Sequence, residues 1–191
     1  MSNWEHSSSS QGNHYRGAMA EAVANVARRI NSTVEEEKDS LDLSNCKLIS
    51  FPDGAFKVLR SVSDKIFVIT LADNEMKVIS SKFFSTFNQL RELDLQGNVL
   101  TKLPDSVGEM QHLTSISLAN NSFSAFPDKL TEIATLERIN LEGNNITEIP
   151  LDKLSAMPAL KWLNLKSNPL DSNTRSALQS PQKCDILFTS E

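Results

Sequence analysis

The side chains that could perform covalent or metal chemistry are few in this sequence of 191 residues. Two cysteines, Cys46 and Cys184, are the candidate nucleophiles, and His112 is the only histidine beyond residue 17. A nucleophile needs a general base within reach, and a metal ion needs several ligands at short spacings. His112 has no Cys, Ser or acidic partner at such a spacing. We therefore expect it to be a surface residue, and we expect no catalysis, no metal and no cofactor.

Glycine-rich phosphate-binding loops are also missing from the sequence. Gly97 and Gly143 stand singly beside Asn98 and Asn144, which is typical of turn residues. We also expect no small-molecule substrate.

Composition and charge narrow the class of protein further. A net charge of −5 with 39% hydrophobic residues is typical of one soluble domain. The basic residues are scattered, which argues against a nucleic-acid partner, and Arg28-Arg29 is predicted to be the solvated face of a helix. No apolar run approaches the roughly 18 residues of a membrane span, and no signal peptide is recognisable. We expect a cytoplasmic protein without a membrane partner.

The elements that position the polar residues come from an internal repeat. The pattern L-x-x-L-x-L-x-x-N-x-L begins without exception at Leu90, Leu113, Leu136 and Leu160, allowing other aliphatic or aromatic residues at the Leu positions. A fifth copy begins at Ile66, and a looser first copy has Lys38 where an apolar residue is expected. The position of the Asn in the six copies is occupied by Cys46, Asn74, Asn98, Asn121, Asn144 and Asn168. The repeat is about 23 residues long, with a longer first connection in which we expect a fuller helix.

The spacing has a physical explanation. Leucines that alternate with polar residues at period two predict a strand with one buried and one solvated face. The Asn follows where the chain turns inward, and its amide can satisfy backbone groups of two neighbouring coils. Cys46 has a weak donor and acceptor only, so we interpret it as the ladder residue of a terminal coil and not as a reactive thiol.

The sequence thus predicts an α/β solenoid of stacked repeats with a parallel concave sheet. Residues 1–17 are expected to be a disordered leader, residues 18–37 an N-terminal cap helix, residues 38–171 six repeats and residues 172–191 a C-terminal cap. In the cap helix Val23, Val26, Ile30 and Val34 recur at helical spacing and are predicted to cover the first coil.

The C-terminal cap is predicted to contain a short helix and an apolar strip. Ser172 or Asn173 is expected to be the N-cap of the helix, and residues 186–188 are expected to seal the last coil. This plan places Cys46 and Cys184 at opposite ends of the stack, so both are predicted to be free thiols in a reducing compartment.

Three rows of side chains are predicted to face outward on the concave sheet. The row before the strand leucines contains Ser40, Val68, Glu92, Ser115, Arg138 and Trp162. The row between the leucines contains Asp42, Thr70, Asp94, Ser117, Asn140 and Asn164, and the row after them contains Ser44, Ala72, Gln96, Ala119, Glu142 and Lys166. We predict that a partner contacts Asp42, Val68, Thr70, Glu92, Asp94, Ser117, Arg138, Asn140, Trp162, Asn164 and Lys166.

Trp162 departs from the short polar residues around it. An exposed tryptophan near Arg138 and Lys166 has the composition of a binding hot spot, whereas a tryptophan packed under the C-terminal cap would be structural. The sequence leaves both possibilities open. The acidic residues of the N-terminal and central rows favour a basic or polar partner segment.

The repeats resemble those of a known family. The L-x-x-L-x-L-x-x-N-x-L units, joined through Leu-Pro, Phe-Pro or Ile-Pro, are similar to the intracellular leucine-rich repeats of Ras-suppressor and Scribble type. The stretch from Met19 onward, including MAEAVANVARRINSTVEE and LKWLNLKSNPL, resembles one small vertebrate member of that family. The resemblance implies the solenoid fold and a scaffold or binding protein, but the family's partners are unrelated to one another.

The resulting hypothesis is a monomeric protein-protein interaction module, or adaptor, whose concave face binds a protein partner. One alternative is a regulatory or inhibitory subunit of an intracellular enzyme complex. A third hypothesis, from another class, is an enzyme that uses a free cysteine, and it depends on Cys46 and Cys184 alone.

Overall fold

The structure is a computed structural model that describes residues 6–190, with side chains from residue 16 onward. The strands are β1 (Ser40–Asp42), β2 (Val68–Thr70), β3 (Glu92–Asp94), β4 (Ser115–Ser117), β5 (Arg138–Asn140), β6 (Trp162–Asn164) and β7 (Asp185–Leu187). The α-helices are α1 (His6–Glu35), α2 (Asp53–Leu59), α3 (Ser81–Thr86), α4 (Leu151–Ser155) and α5 (Ser172–Leu178). Short 3₁₀ helices occupy Ser63–Lys65, Asp105–Glu109 and Asp128–Glu132.

The seven strands form one parallel sheet in chain order, from β1 to β7. The register joins equivalent repeat positions, so that Glu92 pairs with Ser115 and Leu93 pairs with Ile116. From β1 to β6 the strand leucines and isoleucines are buried, whereas their neighbours within the strands, apart from Asn164, are partly or fully exposed. This alternation is what a period-two pattern with one buried face requires. The predicted α/β solenoid with a parallel sheet is confirmed.

The predicted asparagine ladder is present between the coils. Asn98 is 5% exposed, its Oδ1 accepts from the Met76 N–H at 3.0 Å, and its Nδ2 donates to the carbonyls of Leu71 and Leu95, each at 3.0 Å. Asn74, Asn121, Asn144 and Asn168 repeat these bonds in their own coils. Cys46 occupies the same position in the first coil, and its Sγ contacts the Ser44 carbonyl at 3.3 Å. Each Asn therefore links its own coil to the preceding one.

The residue before each ladder position adopts a left-handed backbone conformation. These residues have φ between 52° and 72°, and they are Asn45, Asp73, Gly97, Asn120, Gly143 and Ser167. Glycine is needed where the preceding coil places a side chain against the turn. A Cβ built on Gly143 would lie 2.3 Å from Asn120 Oδ1, and one on Gly97 would lie 2.3 Å from Asp73 Oδ1.

Gly143→Ala is expected to lower the free energy of unfolding by about 1–3 kcal/mol, because alanine resists positive φ and its Cβ would collide with Asn120. Gly54→Ala is the matched control, since Gly54 lies in α2 with no atom within 4 Å of a built Cβ. Alanine there is expected to be neutral or to stabilise by up to about 1 kcal/mol. Urea unfolding followed by circular dichroism measures both. Equal losses for the two variants would contradict the role assigned to the left-handed turn.

The longer first connection contains α2, as predicted, together with an aromatic cluster. Phe51, Phe56, Phe83 and Phe87 are all at most 7% exposed, and their ring centroids lie 4.8–6.2 Å apart. The cluster brings α2 of the first connection against α3 of the second.

The N-terminal cap differs from the prediction in two respects. The helix begins at His6 and not near Ala18, so it includes part of the segment expected to be a disordered leader. Residues 1–5 lie outside the described residues, and the expected disorder of the leader is untested there. Val26 and Ile30 are buried against the first coil, but Val23 is 67% exposed. The prediction that Val23 covers the coil is wrong: Asn25, in the same turn, contacts Cys46 Sγ at 3.7 Å, whereas the Val23 side chain is open to solvent.

Arg29 also departs from the prediction of a solvated face. Its Nη1 donates to the carbonyls of Ser44 at 2.9 Å and Asp42 at 3.3 Å, and Thr33 Oγ1 donates to the Ser40 carbonyl at 3.4 Å. Strand β1 lies at the edge of the sheet, so its outer carbonyls have no neighbouring strand to satisfy them. Side chains of α1 satisfy these carbonyls instead. Arg28 is exposed, as expected.

The C-terminal cap adds a strand that the sequence reading did not anticipate. Residues 186 and 187, expected as an apolar strip, lie in β7, which pairs in parallel with β6. The N-cap of α5 is Asp171, one residue before the first of the two predicted candidates, and its side chain accepts the Thr174 N–H at 2.7 Å. Cys46 and Cys184 are both free, as predicted.

Candidate functional site

The sheet register brings the predicted rows of outward-facing residues together. Ser40, Val68, Glu92, Ser115, Arg138 and Trp162 follow one another at equivalent positions of successive strands. The second row, from Asp42 to Asn164, is continuous in the same way. These residues line the face of the sheet opposite the buried leucines.

The second row has a structural role that the sequence reading missed. Five of its six side chains accept a hydrogen bond from the backbone N–H two residues later, as Asp94 does from Gln96 at 3.0 Å and Asn140 does from Glu142 at 3.0 Å. Asp42, Thr70 and Asn164 form the same bond, at 2.9–3.3 Å. The signal was in the sequence, because this row contains only Asp, Asn, Ser and Thr, the residues that form such local turns.

Two members of the second row are poor candidates for contact with a partner. Asn164 is only 6% exposed, and its Nδ2 donates to Glu142 Oε2 at 3.3 Å. Ser117 Oγ is buried and has no hydrogen-bond partner in the described part of the chain. The accessible part of the second row is therefore concentrated at Asp42, Thr70, Asp94 and Asn140, of which Asp42 is the most open.

Trp162 and Arg138 form the most distinctive contact of the face. The guanidinium carbon of Arg138 lies 4.2 Å from the centre of the Trp162 ring. Trp162 is half-buried and lies beside Asp185 of β7 in the sheet. The tryptophan is therefore neither fully exposed nor sealed under the cap, and one ring face is covered by a cation that adds a cation–π attraction of about 0.5–2 kcal/mol. Lys166 is exposed in the following row.

The opposite end of the face is acidic. Asp42 lies 3.6 Å from Arg29, and Glu92 is exposed beside the half-buried Asp94. Burial raises the pKa of Asp94, the Gln96 N–H opposes that shift, and the charges of Asp73 and Asp42 reinforce it. At Asp42 burial acts in the same sense, but hydrogen bonds from Ser44 and the charge of Arg29 outweigh it and lower the pKa. Asp94 forms no ion pair with any residue that the structure describes, so its carboxylate has the Gln96 N–H but no cation beside it.

Asp94→Asn is expected to raise the free energy of unfolding at pH 7 by less than about 1 kcal/mol, and with it the melting temperature. Asparagine keeps the acceptor for the Gln96 N–H and removes the partly desolvated charge. Because the pKa of Asp94 is raised in the folded state, its penalty appears as the pH rises through and above the ordinary value of 3.8. The advantage of Asn should therefore disappear in acid.

Asp42→Asn is the matched control with the opposite sign. The pKa of Asp42 is lowered in the folded state, so its ionised form stabilises the fold above the ordinary carboxyl range and that contribution is lost in acid. The substitution should lower the melting temperature at pH 7. Thermal unfolding of both variants from pH 3 to pH 8 tests the two signs, and a shift of the same sign in both variants would contradict the assignment.

The environment of the cysteines does not activate them as nucleophiles. Burial raises the pKa of the Cys46 thiol and of the Cys184 thiol. At Cys46 the charge of Arg29 opposes the shift and that of Asp42 adds to it, and at Cys184 the charge of Asp185 adds to it. A raised pKa lowers the fraction of thiolate, which is the reactive form. His112 is exposed on the connection before β4.

Thiol labelling of the native protein at neutral pH is expected to be slow. Cys46 is 3% exposed, so it should react at least about tenfold more slowly than in the unfolded chain, and the half-buried Cys184 should react at an intermediate rate. Mass spectrometry after timed labelling, with and without urea, measures both rates. Rapid, selective labelling of one native cysteine would reopen the hypothesis of an enzyme.

Within residues 6–190, no group of three or more His, Cys, Asp or Glu residues is placed to hold a metal ion. Among the helices that the structure describes, none is both long enough and apolar enough to cross a membrane.

Comparisons with known proteins agree with the fold. A leucine-rich repeat family model matches residues 39–100, 64–123 and 111–170. The chain is 60% identical over 173 residues to leucine-rich repeat-containing protein 20 of Mus musculus and 56% identical over 173 residues to that of Homo sapiens, covering 91% of this chain and 94% of each relative. These matches confirm the resemblance noted from the sequence.

A solved structure of a leucine-rich repeat protein from Leptospira interrogans is also similar. It superimposes with a TM-score of 0.64 at 27% identity and covers 74% of this chain. The chain corresponds to 35% of the length of that protein.

Proposed function

The chain belongs to the leucine-rich repeat family, and from that membership we propose that it is a protein-interaction module that binds a partner segment on its concave face. Parallel sheets are usually covered on both faces, but here one face carries partly exposed polar side chains from β1 to β6. That open sheet supports the proposal more than any other single observation. The proposal includes a cytoplasmic location, and the two free cysteines support it because free thiols are typical of a reducing compartment.

The two ends of the face differ in chemistry, which limits the kind of segment that fits. Asp94 and Glu92 on β3 favour a basic side chain, because such a charge would offset the penalty of the partly buried Asp94 carboxylate. The stacked Trp162 and Arg138 at the other end offer a flat, half-exposed surface of the type enriched at interface hot spots. The segment should therefore carry a basic residue at one end and an aromatic or aliphatic residue at the other.

The geometry also sets the distance between those two residues of the segment. Three strand steps separate β3 from β6, and each step is about 4.8 Å, so the two contact points lie roughly 14 Å apart. An extended chain spans this distance in about four to five residues. A segment that crosses the strands in extended form can reach both.

Proximity labelling with the intact protein tests the proposal. The concave variant combines Asp94→Asn, Arg138→Gln and Trp162→Ala, and the matched control combines Glu109→Gln, His112→Ala and Lys102→Gln, three exposed residues of the connections. We expect a set of proteins to be labelled by the wild type and the control but lost with the concave variant. Purified partners should bind the concave variant at least about tenfold more weakly by calorimetry. Identical partners and affinities for all three proteins would refute the concave site.

A further inference from the structure

A second candidate surface lies between α1 and α2, away from the open face of the sheet. The groove there, called the α1–α2 groove, has a volume of about 510 Å³. One wall is α1, with Met19, Val23 and Val26, and the other is α2, with Ala55 and Val58. The loop after β1 contributes Cys46, Lys47, Leu48 and Ile49. Lys47 is the one charged side chain among the lining residues.

The groove concentrates exposed apolar surface. Met19 is 43% exposed, Val23 67%, Ile49 71% and Val58 46%. These four are among the six large hydrophobic residues that are exposed in the described part of the chain, and all four line the groove. Single exposed apolar residues need no explanation, whereas a contiguous group around a concave surface is typical of an interaction site.

The exposure of the walls favours a macromolecule over a small ligand. Pockets for small molecules bury most of the ligand surface, but walls that are themselves about half exposed would leave a small molecule open to water. A partner with its own surface covers the residues that project above the groove, such as Val23 and Ile49. The occupant is therefore expected to be part of a protein.

The lining also decides the conformation of that segment. Few polar groups face the groove, and the edge strand β1 is already satisfied by Arg29 and Thr33 of α1. An extended segment would find no row of backbone partners here and would bury its own unpaired N–H and C=O groups. A helix satisfies those groups internally, so a helix is the conformation that fits.

The positive charge of Lys47 favours an acidic residue on the helix that binds the groove. Lys47 is exposed, and it forms no ion pair with any residue that the structure describes. We propose that the α1–α2 groove binds an amphipathic helix of a partner protein, with its apolar stripe against Val23, Ile49 and Val58 and an acidic residue facing Lys47. This site is separate from the concave face, so the chain would join two partners at once.

A displayed library of single helices tests the proposal directly. Each helix has about five turns, with apolar residues varied along one stripe and charged residues varied along its flanks. Selection uses the full-length chain, and a parallel selection uses Lys47→Glu. We expect acidic residues to be enriched at one flanking position with the wild type, and basic residues at the same position with Lys47→Glu. Enrichment with no such exchange of charge would refute the role of Lys47.

Variants at highly exposed positions locate the binding without disturbing the core. The selected helix should bind Val23→Glu and Ile49→Glu at least about tenfold more weakly and should bind Val99→Glu within about twofold of the wild type. Val99 is the matched control, because it is 43% exposed and does not line the groove. Equal affinity for all four proteins would overturn the proposal.

Two other occupants of the α1–α2 groove, a second copy of the chain and a lipid surface, can be distinguished by experiment. Sedimentation of the full-length chain would reveal a dimer that Ile49→Glu abolishes if a second copy fills the groove. Flotation with vesicles of phosphatidylcholine and phosphatidylserine would reveal binding that the same variant abolishes if the groove contacts lipid. Either result would replace the partner helix. If the full-length chain selects no helix while the partners of the concave face still bind, the inference about the groove is refuted and the proposed function is not.

Discussion

Asn98→Ala is expected to lower the free energy of unfolding by about 3 kcal/mol or more. The substitution leaves the Met76 N–H without its partner in a region where Asn98 is 5% exposed. The carbonyls of Leu71 and Leu95 each lose one of two amide donors and keep Asn74 Nδ2 and Asn121 Nδ2. A buried group without a partner costs about 1–3 kcal/mol, and each of the two other lost hydrogen bonds adds about 0.5–1.5 kcal/mol. For a chain of this length the melting temperature should fall by roughly 10 °C. Urea and thermal unfolding followed by circular dichroism measure the loss.

The position of the Asn in the stack supplies the controls for this prediction. Asn168 forms the same bonds but is only half-buried, because it lies in the last full repeat, so Asn168→Ala should cost less. Cys46→Ala should cost least, since the Cys46 thiol bonds to no strand of a preceding coil. A gradient from Asn98 through Asn168 to Cys46 is expected. The same loss at all three positions would mean that the ladder bonds do not carry the effect.

The sheet and the ladder could be predicted because they depend on a short-range pattern. Alternation at period two defines which residues of β3 face inward, and the repeat length places Asp94 beside Ser117 without knowledge of any long-range contact. Six copies of one pattern reinforce each other, so a departure such as Cys46 does not obscure the rule. The same argument gave the concave rows.

Other features were missed because they depend on where two elements diverge. An apolar stripe on α1 predicts which side of the helix is buried, but it does not predict how far along the helix the contact extends. Val26 and Ile30 reach the first coil and Val23 does not. Likewise, Arg29 is on the expected polar side, but only the three-dimensional structure shows that this side faces the carbonyls of an edge strand.

The candidate binding surface was predicted only in outline. The register confirms which residues share the face, but the side chains of Asp94 and Asn140 also stabilise their own turns, which a list of outward positions cannot reveal. The exposure of Trp162 could not be predicted, because it depends on β7, and the residues of β7 do not follow the repeat pattern. The groove beside α1 was not predicted at all, since it exists only through the distance between two elements.

Phe83→Ala is expected to lower the free energy of unfolding by about 3–5 kcal/mol, the usual range for a buried phenylalanine. Phe83 is fully buried, and its ring lies 5.2 Å from Phe51, 5.4 Å from Phe84 and 5.1 Å from Phe87. Alanine removes these contacts and leaves a cavity that the surrounding rings can fill only in part. Phe67→Ala is the matched control, because Phe67 is half-buried and packs against the Arg91 guanidinium at 4.0 Å. It should cost less.

The location of Phe83 predicts a second effect beyond the lost stability. The cluster connects the first coil to the rest of the solenoid, and a repeat protein is stabilised mainly by contacts between neighbouring coils. In the Trp4→Phe background Trp162 is the one remaining tryptophan, and it lies in β6, far along the chain from the cluster. Phe83→Ala should therefore separate unfolding by circular dichroism from unfolding by Trp162 fluorescence, with the dichroism changing at lower urea. Coincident transitions would show that the coils remain one cooperative unit despite the cavity.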